Sequence, residues 1–214
     1  MKDYKLLIFD WDGTLVDSED LLVESIKKTA INFDCIISEV EINKYIGLSL
    51  KTIHQQLFST IKYPIFCKVF YQHYNEDRLG AYFFTGAIAT MNHLKEQGFT
   101  LAIATNKSRA KLEMVLDKAK IQHLFAATQC PDDGFPKPNP KMLITLLDEL
   151  NYEHEDALVI GDTIFDMQFA QNAKVAALAA CYGYHTKEQL AVYNPVGFID
   201  DIQDLKKVLV KYHF

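Results

Sequence analysis

Cysteine is scarce in this chain, four in 214 residues, and Cys35, Cys67, Cys130 and Cys181 form no CxxC pair and have no histidine pattern beside them. A disulfide framework or a zinc site is therefore not expected, and reduced thiols in a cytosol are the simpler reading. An excess of positive charge is lacking too: 22 Lys and Arg face 28 Asp and Glu, a net charge of −6. Nucleic acid is a poor main partner for such a chain, because phosphate backbones need a basic surface. No apolar run approaches the roughly 20 residues of a membrane helix. The first such run is short and ends in acids, unlike a signal peptide. Internal repeats and low-complexity segments are absent as well. What remains is a globular composition, 49% hydrophobic and 23% charged, with a cytoplasmic location expected and no membrane partner. Its length suits one large domain or two unequal ones; the oligomeric state is not legible, and a monomer is compatible.

The informative stretch is "LLIFDWDGTLVDSE", Leu6 to Glu19, where an apolar run stops at two aspartates one residue apart. In extended backbone residues i and i+2 point the same way, so the carboxylates of Asp10 and Asp12 are expected to converge while Trp11 points elsewhere. Like charges that close repel, which natural sites tolerate for a metal ion or for acid–base work. Residues 4–10 read as a strand, and residues 18–80 as helical throughout. Within that block Tyr63, Phe66, Phe70, Tyr71 and Tyr74 follow helical spacing and read as its core. Strands at 99–105, 125–129, 156–162, 174–180 and 197–199 then alternate with helices at 86–97, 107–119, 140–150, 164–172, 186–192 and 202–211. Strands separated by helices mean βαβ units, so the expected fold is α/β: a Rossmann-like parallel sheet with an inserted all-helical domain. The boundaries put 1–17 and 81–214 in the core and 18–80 in the insert.

Open α/β sheets bind ligands beyond the carboxyl ends of their strands. Asp10 and Asp12 follow the first strand, Thr105 and Asn106 the second, and "GDTIFD" supplies Asp162 and Asp166 after a later one. Lys137 stands between two prolines in "PKPNP", just before a helix. Carboxylates, a hydroxyl and a lysine suit a magnesium ion beside a phosphate cradle. Taken singly each has a plainer reading. Asp10 and Asp12 suit a turn, Thr105 and Asn106 a helix N-cap, and Lys137 a loop lysine whose removal leaves the fold intact. The segment Gly47–Lys51 suits either a loop facing the site or an ordinary turn.

"FDWDGTLVDS", "IATN", "KPNP" and "GDTIFD" resemble, in order and spacing, the four motifs of the haloacid dehalogenase superfamily. The likeness is to its phosphoglycolate-phosphatase-like branch, which has a helical cap after the first strand. The resemblance implies an Mg²⁺-dependent phosphatase that hydrolyses small phosphomonoesters, phosphoglycolate-like or sugar phosphates, through an aspartyl-phosphate. Asp10 would be its nucleophile and Asp12 its acid/base. Thr105, Asn106 and Lys137 would bind phosphate. Asp10, Asp162 and the backbone carbonyl of Asp12 would hold the metal, with Asp166 behind them. Substrate choice would fall to cap residues such as Gly47, Ser49 and Lys51. A phosphomutase shares every core motif and stays open. A dehalogenase needs no second acid, so Asp12 argues against it. A phospho-aspartate signalling module is disfavoured by Asp12 and by the insert.

Overall fold

The computed structural model describes residues 4–74 and 83–209. Its strands are β1 (Leu6–Phe9), β2 (Thr100–Ala104), β3 (Ala127–Gln129), β4 (Ala157–Gly161), β5 (Ala176–Ala180) and β6 (Gly197–Ile199). They form one sheet in the order β3-β2-β1-β4-β5-β6, and every pairing is parallel. Parallel strands covered on both sides must be apolar along their whole length. "LLIF" of β1 and "ALVIG" of β4 are buried at every residue. Alternation then divides them between two cores, Leu7 and Phe9 entering one and Leu6 and Ile8 the other.

The helices in chain order are α1 (Glu19–Asn32), α2 (Glu39–Asn43), α3 (Leu50–Leu57), α4 (Tyr63–His73), α5 (Ala87–Glu96), α6 (Arg109–Ala119), α7 (Lys141–Leu150), α8 (Ile164–Asn172), α9 (Lys187–Ala191) and α10 (Leu205–Val208). Met91 of α5, Leu112 of α6 and Leu205 of α10 fill the first core. Leu143 of α7, Phe169 of α8 and Leu190 of α9 fill the second. The last helix is shorter than its sequence suggests, opening with a 3₁₀ turn at Ile202–Asp204. Residues 210–211 of that expectation lie outside the described residues, as does the expected 80/81 domain boundary.

The segment 18–80, expected to be helical throughout, is broken into four helices among its described residues, 18–74. Asp34 at φ 51° and Gly47 at φ 89° put left-handed kinks between them, conformations no helix continues through. Ser38 and Ser49 then start α2 and α3 by accepting hydrogen bonds from Glu41 N and Thr52 N, each 3.2 Å. Pro64 sits in the first turn of α4, where its missing N–H costs nothing. α1 packs on α4, and Ile26, Ile42, Ile53, Phe58 and Phe66 close the interior. Each such fully buried side chain contributes ~1.5–3 kcal/mol. The same apolar cluster continues to the sheet through Trp11, Leu15 and Val16.

From β1 the chain builds outward to β2 and β3, then returns to β4 on the other side of β1 and builds outward to β6. The order reverses between β1 and β4, and a crevice opens beyond the strand ends at such a point.

Candidate active site

Asp10 and Asp162 follow directly from that reversal. Asp10 N donates to Ile160 O at 2.9 Å, so the residue after β1 is pinned to β4. Asp162 comes one residue after β4 ends. Between them Gly13 takes φ 82°, and a Cβ there would stand 2.1 Å from Asp162 Oδ2. Only glycine permits both the angle and the approach. Asp162 Oδ1 accepts from Thr14 Oγ1 at 2.6 Å and Oδ2 from Tyr184 N at 2.9 Å.

Lys137 reaches in from the loop before α7. Its Nζ donates to Asp10 Oδ1 at 2.8 Å and to Asp166 Oδ1 at 2.7 Å. The other Asp166 oxygen accepts from Thr163 N at 2.9 Å and Thr163 Oγ1 at 2.5 Å, in a capping box that opens α8. At 2% exposure Lys137 is no dispensable loop lysine; it is the ammonium between two buried carboxylates.

One oxygen from each of Asp10, Asp162 and Asp166 lies within 4.8 Å of the others. The buried neighbours of Asp10 are thus Asp162 and Asp166, and Asp12 reaches the same cavity by another route. The i, i+2 rule needs extended backbone, but β1 ends at Phe9 and the chain turns at once. Leu15 N and Val16 N both donate to Trp11 O, at 2.9 and 3.1 Å. Asp12 has partners of its own, its Oδ1 accepting from Ser18 Oγ at 2.8 Å and its Oδ2 from Lys107 Nζ at 3.2 Å.

Three buried carboxylates against one ammonium leave negative charge in excess. Burial, reinforced by Asp166, pushes the Asp10 carboxyl up to about 7 although Lys137 pulls it back. Burial and then the charges of Asp166 and Asp10 raise Asp162 well above the carboxylate range. Burial acts to lower the Lys137 ammonium, but Asp10 and Asp166 outweigh it and its pKa is raised. Hard oxygens that crowd together at such cost fit a divalent cation of the Mg²⁺ kind.

Thr105 is buried, and its Oγ1 accepts from Lys107 N at 3.1 Å. Neither Thr105 nor Asn106 is the N-cap expected of them, since Ser108 holds that position before α6; Asn106 has another role. Its Oδ1 accepts from Lys137 N at 2.9 Å, and its Nδ2 donates to Gly47 O at 2.8 Å. One side chain therefore ties the lysine loop to the helical insert. Asp10, Asp12, Thr105 and Asn106 line a cavity of about 420 Å³. Gly47, Ser49 and Lys51 line it too, so their loop faces the site, although the Ser49 hydroxyl also caps α3. The aromatic run is core as expected, Phe66, Phe70 and Tyr74 buried in it and Tyr63 and Tyr71 packed against it, and all but Phe66 also line the cavity.

Sequence reasoning missed Thr14, Ser18, Lys107 and Tyr184. Thr14 and Ser18 lie inside "FDWDGTLVDS" and Lys107 directly follows "ATN", so adjacency to a motif was the available signal. Tyr184 carries no such signal, yet its hydroxyl lies 3.0 Å from Ser18 Oγ. Burial, then the charge of Asp12, raises its phenol well above the usual value, so it stays protonated.

A family profile described as "Haloacid dehalogenase-like hydrolase" matches residues 7–180. Pyrophosphatase PpaX of Bacillus mycoides is 28% identical over 206 residues, covering 95% of each chain. Phosphoglycolate phosphatase of Agrobacterium fabrum is 27% identical over 215 residues, covering 95% of this chain and 91% of its own. Among solved structures, a predicted phosphoglycolate phosphatase from Haemophilus somnus superposes with a TM-score of 0.85 at 26% identity, covering 98% of this chain and all of that one. No helix among the described residues is long and apolar enough to cross a membrane.

Proposed function

The chain belongs to the haloacid dehalogenase-like hydrolases, and from that premise we propose that it is an Mg²⁺-dependent phosphatase of small phosphomonoesters. The observation that carries this is the buried Asp10–Lys137–Asp166 array with Asp162 beside it, opening through Asp12 and Thr105 onto a cavity. Asp10, Asp162 and the Asp12 backbone carbonyl would hold the metal, and Asp166 orients Lys137 and Thr163 behind them. The bound ion would offset the repulsion between a carboxylate and a phosphate dianion.

On this reading an Asp10 carboxylate oxygen forms a bond to phosphorus as the ester P–O bond breaks, giving an aspartyl-phosphate. Asp12 gives its proton to the departing alkoxide, then takes one from the water that releases inorganic phosphate and restores Asp10. Ser18 and Lys107 keep the Asp12 carboxylate aimed for both transfers. Lys137, Thr105 and Asn106 stand where the phosphoryl oxygens gather charge. Residues 18–80 act as a cap domain on a core of 1–17 and 81–214, closing over the site and excluding water.

The test is a phosphate-release screen over small phosphomonoesters with Mg²⁺, with Asp10→Asn as the blank. Excess EDTA should stop release, and Ca²⁺ should restore it poorly because its larger, looser shell misplaces the nucleophile. Undiminished turnover in EDTA would refute the metal.

A further inference from the structure

We infer that the alcohol half of the substrate carries a ring, that of a sugar or a base, lying against the tyrosines of α4. This rests on the phosphatase reading and specifies its substrate class. The cavity of about 420 Å³ is in the range of ~300–1,000 Å³ that whole small-molecule ligands occupy. A phosphoryl group bearing a two-carbon acid fills only the carboxylate end.

The far end has a different chemistry. α4 turns Tyr63, Phe70, Tyr71 and Tyr74 onto the cavity. Phe70 stacks on Tyr74 with centroids 5.1 Å apart and meets Tyr71 edge-on at 5.2 Å. Such mutual packing leaves a stiff wall of ring faces and edges. A two-carbon acid or pyrophosphate gains nothing from that wall. A sugar's C–H face or a planar base gains stacking and burial.

Against it α6 contributes a cation. Lys111 Nζ lies 4.6 Å from the Tyr71 centroid, while Lys107, which precedes the helix, passes over Tyr74 at 5.4 Å on its way to Asp12. Tyr71 and Lys111 are half-buried on the cavity, where ring hydroxyls or carbonyls meet both an ammonium and a phenol. The phosphate end therefore reads the ester, and the tyrosine–lysine end reads the ring.

The experiment measures kcat/KM of the full chain with Mg²⁺ on hexose 6-phosphates and nucleoside 5′-monophosphates, against phosphoglycolate and pyrophosphate. The two ring groups separate a sugar from a base. The best ring ester should exceed both small substrates by about tenfold or more, roughly 1.4 kcal/mol. Tyr71→Ala should narrow that ratio through KM, and Tyr71→Phe should keep it. Truncating Tyr71 also loosens α4, so Lys111→Ala on α6 is the second probe and should narrow the ratio as well. Phosphoglycolate or pyrophosphate as the better substrate overturns the inference and leaves the phosphatase standing. So does a ratio unchanged in both Tyr71→Ala and Lys111→Ala. No phosphate from any ester overturns both readings.

Discussion

The site has a floor, of which Asp10 alone lines the cavity, and a roof, and the two are built on opposite principles. The floor gathers Asp10, Asp162, Asp166 and Lys137 from distant points of the chain, and each is at most 6% exposed. Hydrogen bonds between side chains and backbone fix every one of them. The roof is one helix and one loop, largely aromatic, held by packing and touching the floor through Asn106. Charge is tolerated in the floor only because each group is locked to another, so few substitutions survive there. The roof carries no such debt, and its side chains are open to change without unmaking the chemistry below.

Asp10→Asn should break the floor most sharply. Phosphate release should fall by about a thousandfold or more, since a nucleophile has no substitute, and rapid acid quench should find no phosphoenzyme. Lys137→Ala should come next and act on stability as well as rate. Removing one partner from a buried ion pair costs about 3–5 kcal/mol, so the melting temperature should drop clearly even without substrate. An unshifted melt would mean that the array is not locked as described.

Asn106→Asp probes the seam between the halves. An aspartate still accepts from Lys137 N but no longer donates to Gly47 O. It should lower kcat by about tenfold, on the order of 1.4 kcal/mol, with the melt little changed; Asn106→Ala, which frees the lysine loop too, should lose more. Equal losses in the two variants would show that the Lys137 N contact contributes nothing, and an unchanged kcat in Asn106→Asp would show the same of the Gly47 contact. Ser49→Ala has the smallest expected effect. Losing the cap of α3 should cost about 1 kcal/mol of stability, and a calorimetric scan should show this beside a near-normal substrate profile. A changed profile would make the Ser49 hydroxyl a contact with the substrate.

Half of the floor was legible from the strand ends, which the apolar runs announce, and Lys137 and Asp166 only from the segments around them. Asp10, Thr105 and Asp162 follow β1, β2 and β4 as expected. The partners were not legible. That Lys137 sits between Asp10 and Asp166, or that Tyr184 N reaches Asp162, depends on how loops far apart in the chain fold over one another. The roof was half legible, since helical spacing shows that α4 has an apolar face. It does not say that Phe66 turns inward while Tyr71 faces a cavity. The turn at Gly47 was legible from its loop residues, whereas the break at Asp34 was not, because local periodicity is blind to a single left-handed residue.

The insert leaves and re-enters the sheet domain at one place. Val16 bridges to Phe83, and Phe84 N donates to Leu15 O at 3.1 Å. Because departure and return stand side by side, the ancestral chain could gain, lengthen or exchange the intervening segment without rethreading a strand. To the sheet, everything between those two points is a single surface loop, and loops tolerate insertion. Such a seam lets one hydrolytic engine be re-tooled for new metabolites by swapping a cassette, and it marks Val16 and Phe83 as the joints where an engineer would graft a foreign one.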